Sequence, residues 1–443
     1  MKSKKAMKKA IKQALLFALA VIMAAVCLSC GNGNAPGPQP PAQTEVLLKF
    51  PHYRTGPSGE GLAFAAQVAR FNVKFAGRYR IELEEIPGEQ YNDKIKLLYQ
   101  SGNLPVLFET NNSDPEWTKT LVENNTWADL APYINADPDF KKVMMQQSID
   151  FNTTGSGQII SLPFAYVKYA YLFYNKEILT NAGITGFPDN WDDFMAVCQI
   201  IKNSGVAPIS FMTGENAWTT MLMAYAYFAS RPEGKAMLEA GEVQHDFTKP
   251  VWIDTIAVIT QLLRDYGSSS ALGAKYPDAA NAFLSEHAAI MPQGSWFVPD
   301  LSNPDQAEEG FDQKIGVAAF PDNIVLGDAL GYGMMINRDA SVEEINGLVE
   351  FFKFMYTPDE INEWLVAVPG FAPNVAMTAE YTDRLTAPAI ELSAVDAAPA
   401  RRFEVLMSRA VYDLFPRNLP LLMSGDMTPE QMAEQMTSVA ENS

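Results

Sequence analysis

Ala170-Tyr171-Leu172-Phe173-Tyr174, then Asp189-Asn190-Trp191 leading into Phe194, Cys198 and Ile201, then Gly205-Val206-Ala207-Pro208-Ile209-Ser210-Phe211: this stretch decides the fold. The first run, three aromatics with Ala170 and Leu172, has the aromatic and apolar character of a strand. Trp191, Phe194, Cys198 and Ile201 recur every three or four residues, which predicts a helix with one apolar face, opened by Asp189 or Asn190 as cap and closed by Gly205. Cys198 on that face reads as core, not as a nucleophile. Ala207–Phe211 is a strand again, and strand, helix, strand is the α/β signature.

The alternation extends outward in both directions. Glu45–Phe50, Arg80–Ile86, Val106–Thr110, Ala288–Met291, Lys314–Phe320 and Gly331–Ile336 are further strand-like runs. Phe64, Val68, Phe71 and Phe75 mark one amphipathic helix. Ile345, Leu348, Phe352 and Met355 mark another, with Asp339 and Ser341 near its start. Residues 45–443 are too many for one compact core and suit two lobes.

The N-terminus sets an address. Lys2, Lys4, Lys5, Lys8, Lys9 and Lys12 precede an apolar run from Ala14 to Ser29, shorter than the roughly 20 residues a spanning helix needs. That layout predicts a signal peptide over residues 1–29. Leu28-Ser29-Cys30-Gly31 resembles a bacterial lipobox, with Cys30 as the acylated residue that anchors the chain to the lipid bilayer; Cys27 and Leu28 depart from its usual pattern. Residues 30–44, rich in Gly, Asn and Pro, read as a flexible tether. Beyond Cys30 the chain has only Cys198, so no internal disulfide is expected. The formal charge is -19, and loss of the six signal lysines makes it about -25. A surface so acidic, without a basic stripe, excludes nucleic acid as a partner.

Longer motifs fall in a fixed order: Leu162-Pro163, Tyr174-Asn175-Lys176-Glu177, Ala182-Gly183-Ile184, Phe187-Pro188-Asp189-Asn190-Trp191-Asp192-Asp193-Phe194, Phe283 to Met291, and Gly294-Ser295-Trp296. Together they resemble the family 1 extracellular solute-binding proteins of ABC importers, the maltose-binding type. The resemblance implies two α/β lobes with a ligand cleft between them, hinge closure, a small solute of the carbohydrate class as ligand, and the permease subunits of an ABC importer as partner. By the same analogy, lobe one is expected at 45–171 plus 299–338, and lobe two at 172–298 plus 339–443.

A sugar offers C–H faces and a rim of hydroxyls, so its site needs flat aromatic platforms and short polar groups. Trp296 and Trp218 are the first platform candidates, with Ser295, Glu215 and Asn216 beside them. His52 and Arg54 follow the first strand, where an open α/β sheet receives its ligand. Asn111 and Asn112 are an amide cluster suited to hydroxyls or to capping a helix. Tyr166, Tyr332 and Phe371 complete the candidates, while Trp117, Trp127, Trp191, Trp252 and Trp364 read as packing. His52, His245 and His287 are scattered and no HExxH, nucleophile elbow or phosphate loop occurs, so neither metal, cofactor nor catalysis is expected. A binding protein for a non-sugar solute, a secreted glycoside hydrolase and a sensory or adhesive lipoprotein are the other readings.

Overall fold

The computed structural model describes residues 44–442 apart from 55–57, 111–114, 269 and 328. The expected signal peptide, Cys30, the tether up to residue 43, Asn111 and Asn112 lie outside the described residues.

The first lobe is built on β1 (Val46–His52) and β2 (Tyr79–Glu85), parallel neighbours, and on β3 (Leu107–Glu109), which pairs antiparallel with a distant strand, β9 (Met334–Ile336). Between β1 and β2 runs α1 (Gly59–Lys74), whose Phe64, Val68 and Phe71 are buried at the expected helical spacing. Side chains alternate across β3: Leu107 enters the main core of this lobe and Phe108 a second cluster on the other face. Tyr91, on α2 (Gly88–Gln100), is fully buried and staples strand ends together. Its hydroxyl donates to the carbonyl of Pro51 or of Glu109 (3.3 and 3.0 Å) and accepts the Glu109 N–H at 3.2 Å.

The second lobe holds a six-stranded sheet ordered β10-β8-β4-β6-β5, with β7 also paired to β4. Its strands are β4 (Ala170–Asn175), β5 (Ala207–Ile209), β6 (Ala288–Gly294), β7 (Ile315–Ala318), β8 (Ile324–Leu326) and β10 (Ala398–Ala400). Ala170 and Leu172 face a core of α3 (Trp191–Asn203), α4 (Trp218–Ser230) and α5 (Pro250–Gln261), while Tyr171 and Phe173 face a second core containing Phe283 of α6 (Tyr276–Leu284). Helices on both faces of a sheet are why β4 is apolar and buried on both faces from Ala170 to Phe173. Asn190 caps α3, accepting the Asp193 N–H at 2.9 Å, and Gly205 ends its turn at φ +91°. Burial of each large apolar side chain on these faces is worth about 1.5–3 kcal/mol.

The expected division of the C-terminal half needs correction. β7 and β8 pair with β4, so most of 299–338 belongs to the second lobe, and only the end around β9 joins the first. Conversely α7 (Val342–Met355) and α8 (Pro358–Ala367) pack in the first lobe, where Phe351 meets Phe71 at 5.1 Å and Trp364 meets Phe64 at 6.4 Å. The stripe of α7 needs an apolar partner, and the face of α1 supplies it.

Candidate ligand-binding site

β1 and β3 end side by side, and three charged groups converge there. Arg54, just past β1, grips Glu109 at the end of β3 with two bonds (2.5 and 3.1 Å) and reaches Glu60 in the first turn of α1 at 3.2 Å. Its guanidinium lies 4.8 Å from the Tyr53 ring centroid and 5.0 Å from that of Phe64. Lys168 lies on a segment that crosses between the lobes, from Ala165 in the core of the first to β4 in the second; it donates to Glu60 at 2.5 Å and stands 5.7 Å from the Trp296 ring. Burial raises the Glu60 carboxyl, but Lys168 and Arg54 outweigh it and hold the group below its ordinary range. The Arg54 guanidinium is held well above its ordinary value despite burial, chiefly by Glu109.

The second lobe contributes an aromatic wall. Trp296 donates its indole N–H to Gln293 at 2.7 Å, and the Gln293 amide donates to the Tyr276 hydroxyl at 3.2 Å. Trp218, at the start of α4, has its ring 5.2 Å from Tyr276 and 6.1 Å from Trp296. Gly294 makes this possible, since a Cβ there would lie 2.2 Å from the Trp296 ring, which folds back over the end of β6. Trp296 packs against both cores of the second lobe and the main core of the first, at their meeting point.

The candidates read from sequence divide accordingly. Trp296, Trp218 and Arg54 are in this assembly. Tyr166 is beside it: its hydroxyl is raised well above its ordinary value, first by burial, and feels Arg54, Glu60 and Glu109. Ser295 is buried with no hydrogen-bond partner for its hydroxyl. Glu215 and Asn216 are exposed on the turn before Trp218, where the Glu215 carboxylate accepts the Tyr276 N–H at 3.5 Å.

His52 is a correction. It is 2 % exposed, wedged between the rings of Phe50 and Phe64 (6.1 and 5.4 Å), because it shares the inward face of β1 with Leu48 and Phe50. Burial, then Arg54, lowers its pKa to about 4, so it is neutral. Tyr332 packs against Phe151 at 5.0 Å, in the cluster behind β3. Phe371 is half exposed and lines a shallow hollow of about 590 Å³ with Lys141 and Asn374. Neither has a ring contact with Trp218, Tyr276 or Trp296. A larger hollow, about 900 Å³, runs between Leu284 and Asp312 and contains none of the aromatic wall.

Glu60, Glu109, Lys168, Tyr276 and Gln293 were not singled out from sequence. Glu109 ends a strand-like run and Lys168 begins another, a signal available in the pattern; the partners of each were not. Among the described residues no cluster of three or more His, Cys, Asp or Glu could hold a metal, and no helix is long and apolar enough to cross a membrane.

The chain belongs to the bacterial extracellular solute-binding protein family, which it matches over residues 56–361. It is 21% identical over 365 residues to the putative ABC transporter periplasmic-binding protein YcjN of Escherichia coli (strain K12), covering 80% of this chain and 76% of that one. It is 27% identical over 194 residues to the multiple sugar-binding protein of Streptococcus mutans, 42% of this chain and 44% of the other. Two solved structures share the fold. A chitin oligosaccharide binding protein superposes with TM-score 0.75 at 21% identity, over 90% of this chain and 98% of its own. The solute-binding protein RafE in complex with raffinose superposes with TM-score 0.69 at 16% identity, over 90% and 99%. The protein is therefore an extracytoplasmic solute-binding protein with the two-lobed, maltose-binding-like fold.

Proposed function

We propose that the protein captures a neutral sugar, a mono- or oligosaccharide, between its lobes and delivers it to the permease subunits of an ABC importer. One observation carries this reading: the aromatic wall of Trp218, Tyr276 and Trp296 abuts a polar chain in which two cations, Arg54 and Lys168, are matched by two carboxylates, Glu60 and Glu109. An ionic solute would need unbalanced charge in the site. Matched charges instead offer donors and acceptors to hydroxyls, while the rings offer faces to C–H patches. The relatives named for sugars, chitin oligosaccharide and raffinose support the same ligand class. Trp296, Trp218, Arg54, Tyr166, Ser295, Glu215 and Asn216 are the contacts we assign. Closure of the lobes about their crossing segments accompanies binding, as is general for periplasmic binding proteins, and the protein turns nothing over.

A thermal-shift series with raffinose, maltose, chitotriose and monosaccharides tests the ligand class, because a ligand of the folded state raises the midpoint by mass action. At least one sugar is expected to do so, and Trp296→Ala to shrink the shift at the same sugar concentration. Shifts by amino acids or inorganic anions and none by sugars would overturn the reading. Membrane attachment through acylated Cys30 is part of the proposal; mass spectrometry of the membrane-extracted protein, with an unmodified or differently cut N-terminus, would refute it.

A further inference from the structure

The 3-10 turn Ser295–Ser302 leaves β6 with Phe297, Val298 and Leu301 buried in the second lobe. Its corner, Pro299-Asp300, meets the first lobe. Asp300 is 3 % exposed, and its carboxylate accepts the N–H of Gly59, the first residue of α1, at 2.6 Å across 241 residues of chain. Gly59 has no alternative here, as a Cβ would lie 2.2 Å from Cβ of Pro299. The residue's own cap, Ser58, serves a different donor, the Gly61 N–H at 3.2 Å. The next residue is Glu60, the carboxylate that joins Arg54 to Lys168.

We propose that Asp300 is a positioning residue of the ligand site: carried by the second lobe, it caps α1 of the first lobe and so fixes Glu60 between Arg54 and Lys168. Its bearing on ligand capture rests on the cleft being the ligand site; the interlobe cap itself does not. A helix's free N–H groups and its positive end favour a carboxylate at this point. Asp300 therefore couples the packing of the two lobes to the geometry of a charged group in the cleft.

The cap is sensitive to protons. Removal from water pushes Asp300 up to about 6, with the Gly59 N–H pulling it down and Glu60 pushing it further up. Glu60 faces it from α1, with Lys168 and Arg54 behind, and Tyr276 faces it from α6. The turn also packs against two short helices. Their charges are engaged elsewhere: Asp312 with Gln313, Lys314 with Glu286, and Glu391 with Lys176. A carboxyl raised on folding binds more protons folded than unfolded, so its contribution to stability falls as pH rises from about 4 to about 6.

Unliganded full-length protein tests the cap, so failure of the sugar reading would not touch the result. Hydrogen exchange of the segment Ser58–Phe64 is expected to quicken at least tenfold in Asp300→Ala and in Gly59→Ala. In Asp300→Asn, which keeps an acceptor oxygen, exchange stays at the wild-type rate. The difference in unfolding midpoint between wild type and Asp300→Asn is expected to move toward wild type as pH falls from 7 to 4. That slope reports the buried Asp300 carboxyl itself, whereas the exchange rates report the cap it makes on α1. Unchanged exchange in Asp300→Ala and Gly59→Ala would overturn the cap, and parallel pH curves for wild type and Asp300→Asn would overturn its sensitivity to protons; if Asp300→Ala fails to fold, exchange in Gly59→Ala still decides the cap.

Discussion

The two halves of the site are built on opposite principles. The first lobe presents Arg54, Glu60 and Glu109, charges taken out of water and satisfied by one another. The second presents Trp218, Tyr276 and Trp296, large surfaces that are only partly buried. A buried charge without its partner is costly to the fold, whereas a partly exposed ring mainly awaits a ligand. The polar half should therefore report on stability and affinity together, and the aromatic half on affinity.

The largest effect expected is from Arg54→Ala. It strands Glu109, 6 % exposed, and should cost about 3–5 kcal/mol of unfolding free energy in denaturant titration. The double variant Arg54→Met, Glu109→Gln should recover most of it; no recovery would mean that Arg54 acts through packing on Tyr53 and Phe64 instead.

Next is His52, the last residue of β1, which separates core from site two residues before Arg54. Its folded pKa of about 4 lies below the usual 6.5, so the unfolded chain binds the proton more readily. Stability should rise with pH from about 4 to 6.5, by up to roughly 3 kcal/mol. His52→Phe should flatten that slope, measured by urea unfolding at several pH values. The slope opposes that of Asp300, so the comparison of wild type with Asp300→Asn, in which His52 is common, isolates the latter.

Trp296→Ala is expected to weaken sugar binding about tenfold or more, about 1.4 kcal/mol, with a smaller loss of stability. Trp252→Ala makes the contrast. Trp252 is fully buried and stacked on Phe228 at 4.1 Å, so its loss should destabilise the fold rather than select against ligand. Calorimetry beside thermal unfolding separates the two; a Trp296→Ala protein that binds as wild type would break the assignment of the wall. The smallest effect is expected at the solvated pair Lys119 and Glu123, 3.6 Å apart and largely exposed. Lys119→Ala should shift unfolding by less than about 0.5 kcal/mol.

Much of the molecule was legible from short-range pattern. Phe64, Val68 and Phe71, and Trp191, Phe194, Cys198 and Ile201, are buried as their spacing implies. The strands near Ala170, Ala207, Ala288 and Lys314 form close to where they were read, while β8 and β10, three residues each, escaped notice. In the site, Trp296 and Trp218 stood out by motif and Arg54 by its place after β1. His52 could have been read correctly from the alternation of Leu48, Phe50 and His52. Tyr332 and Phe371 had only their ring type to recommend them, and that does not fix a direction.

The sequence by itself determined the α/β class, the faces of its helices, and the aromatic residues available for a sugar. Periodicity does this because a side chain's direction depends on neighbours two to four residues away. Only the tertiary structure decided that Arg54 meets Glu109, 55 residues on, that Lys168 meets Glu60, 108 residues back, and that Asp300 meets Gly59 across 241. It also decided that α7 and α8 return to the first lobe while β7 and β8 stay in the second. Those pairings arise from how buried faces and strand edges find one another in space, and no local spacing records them.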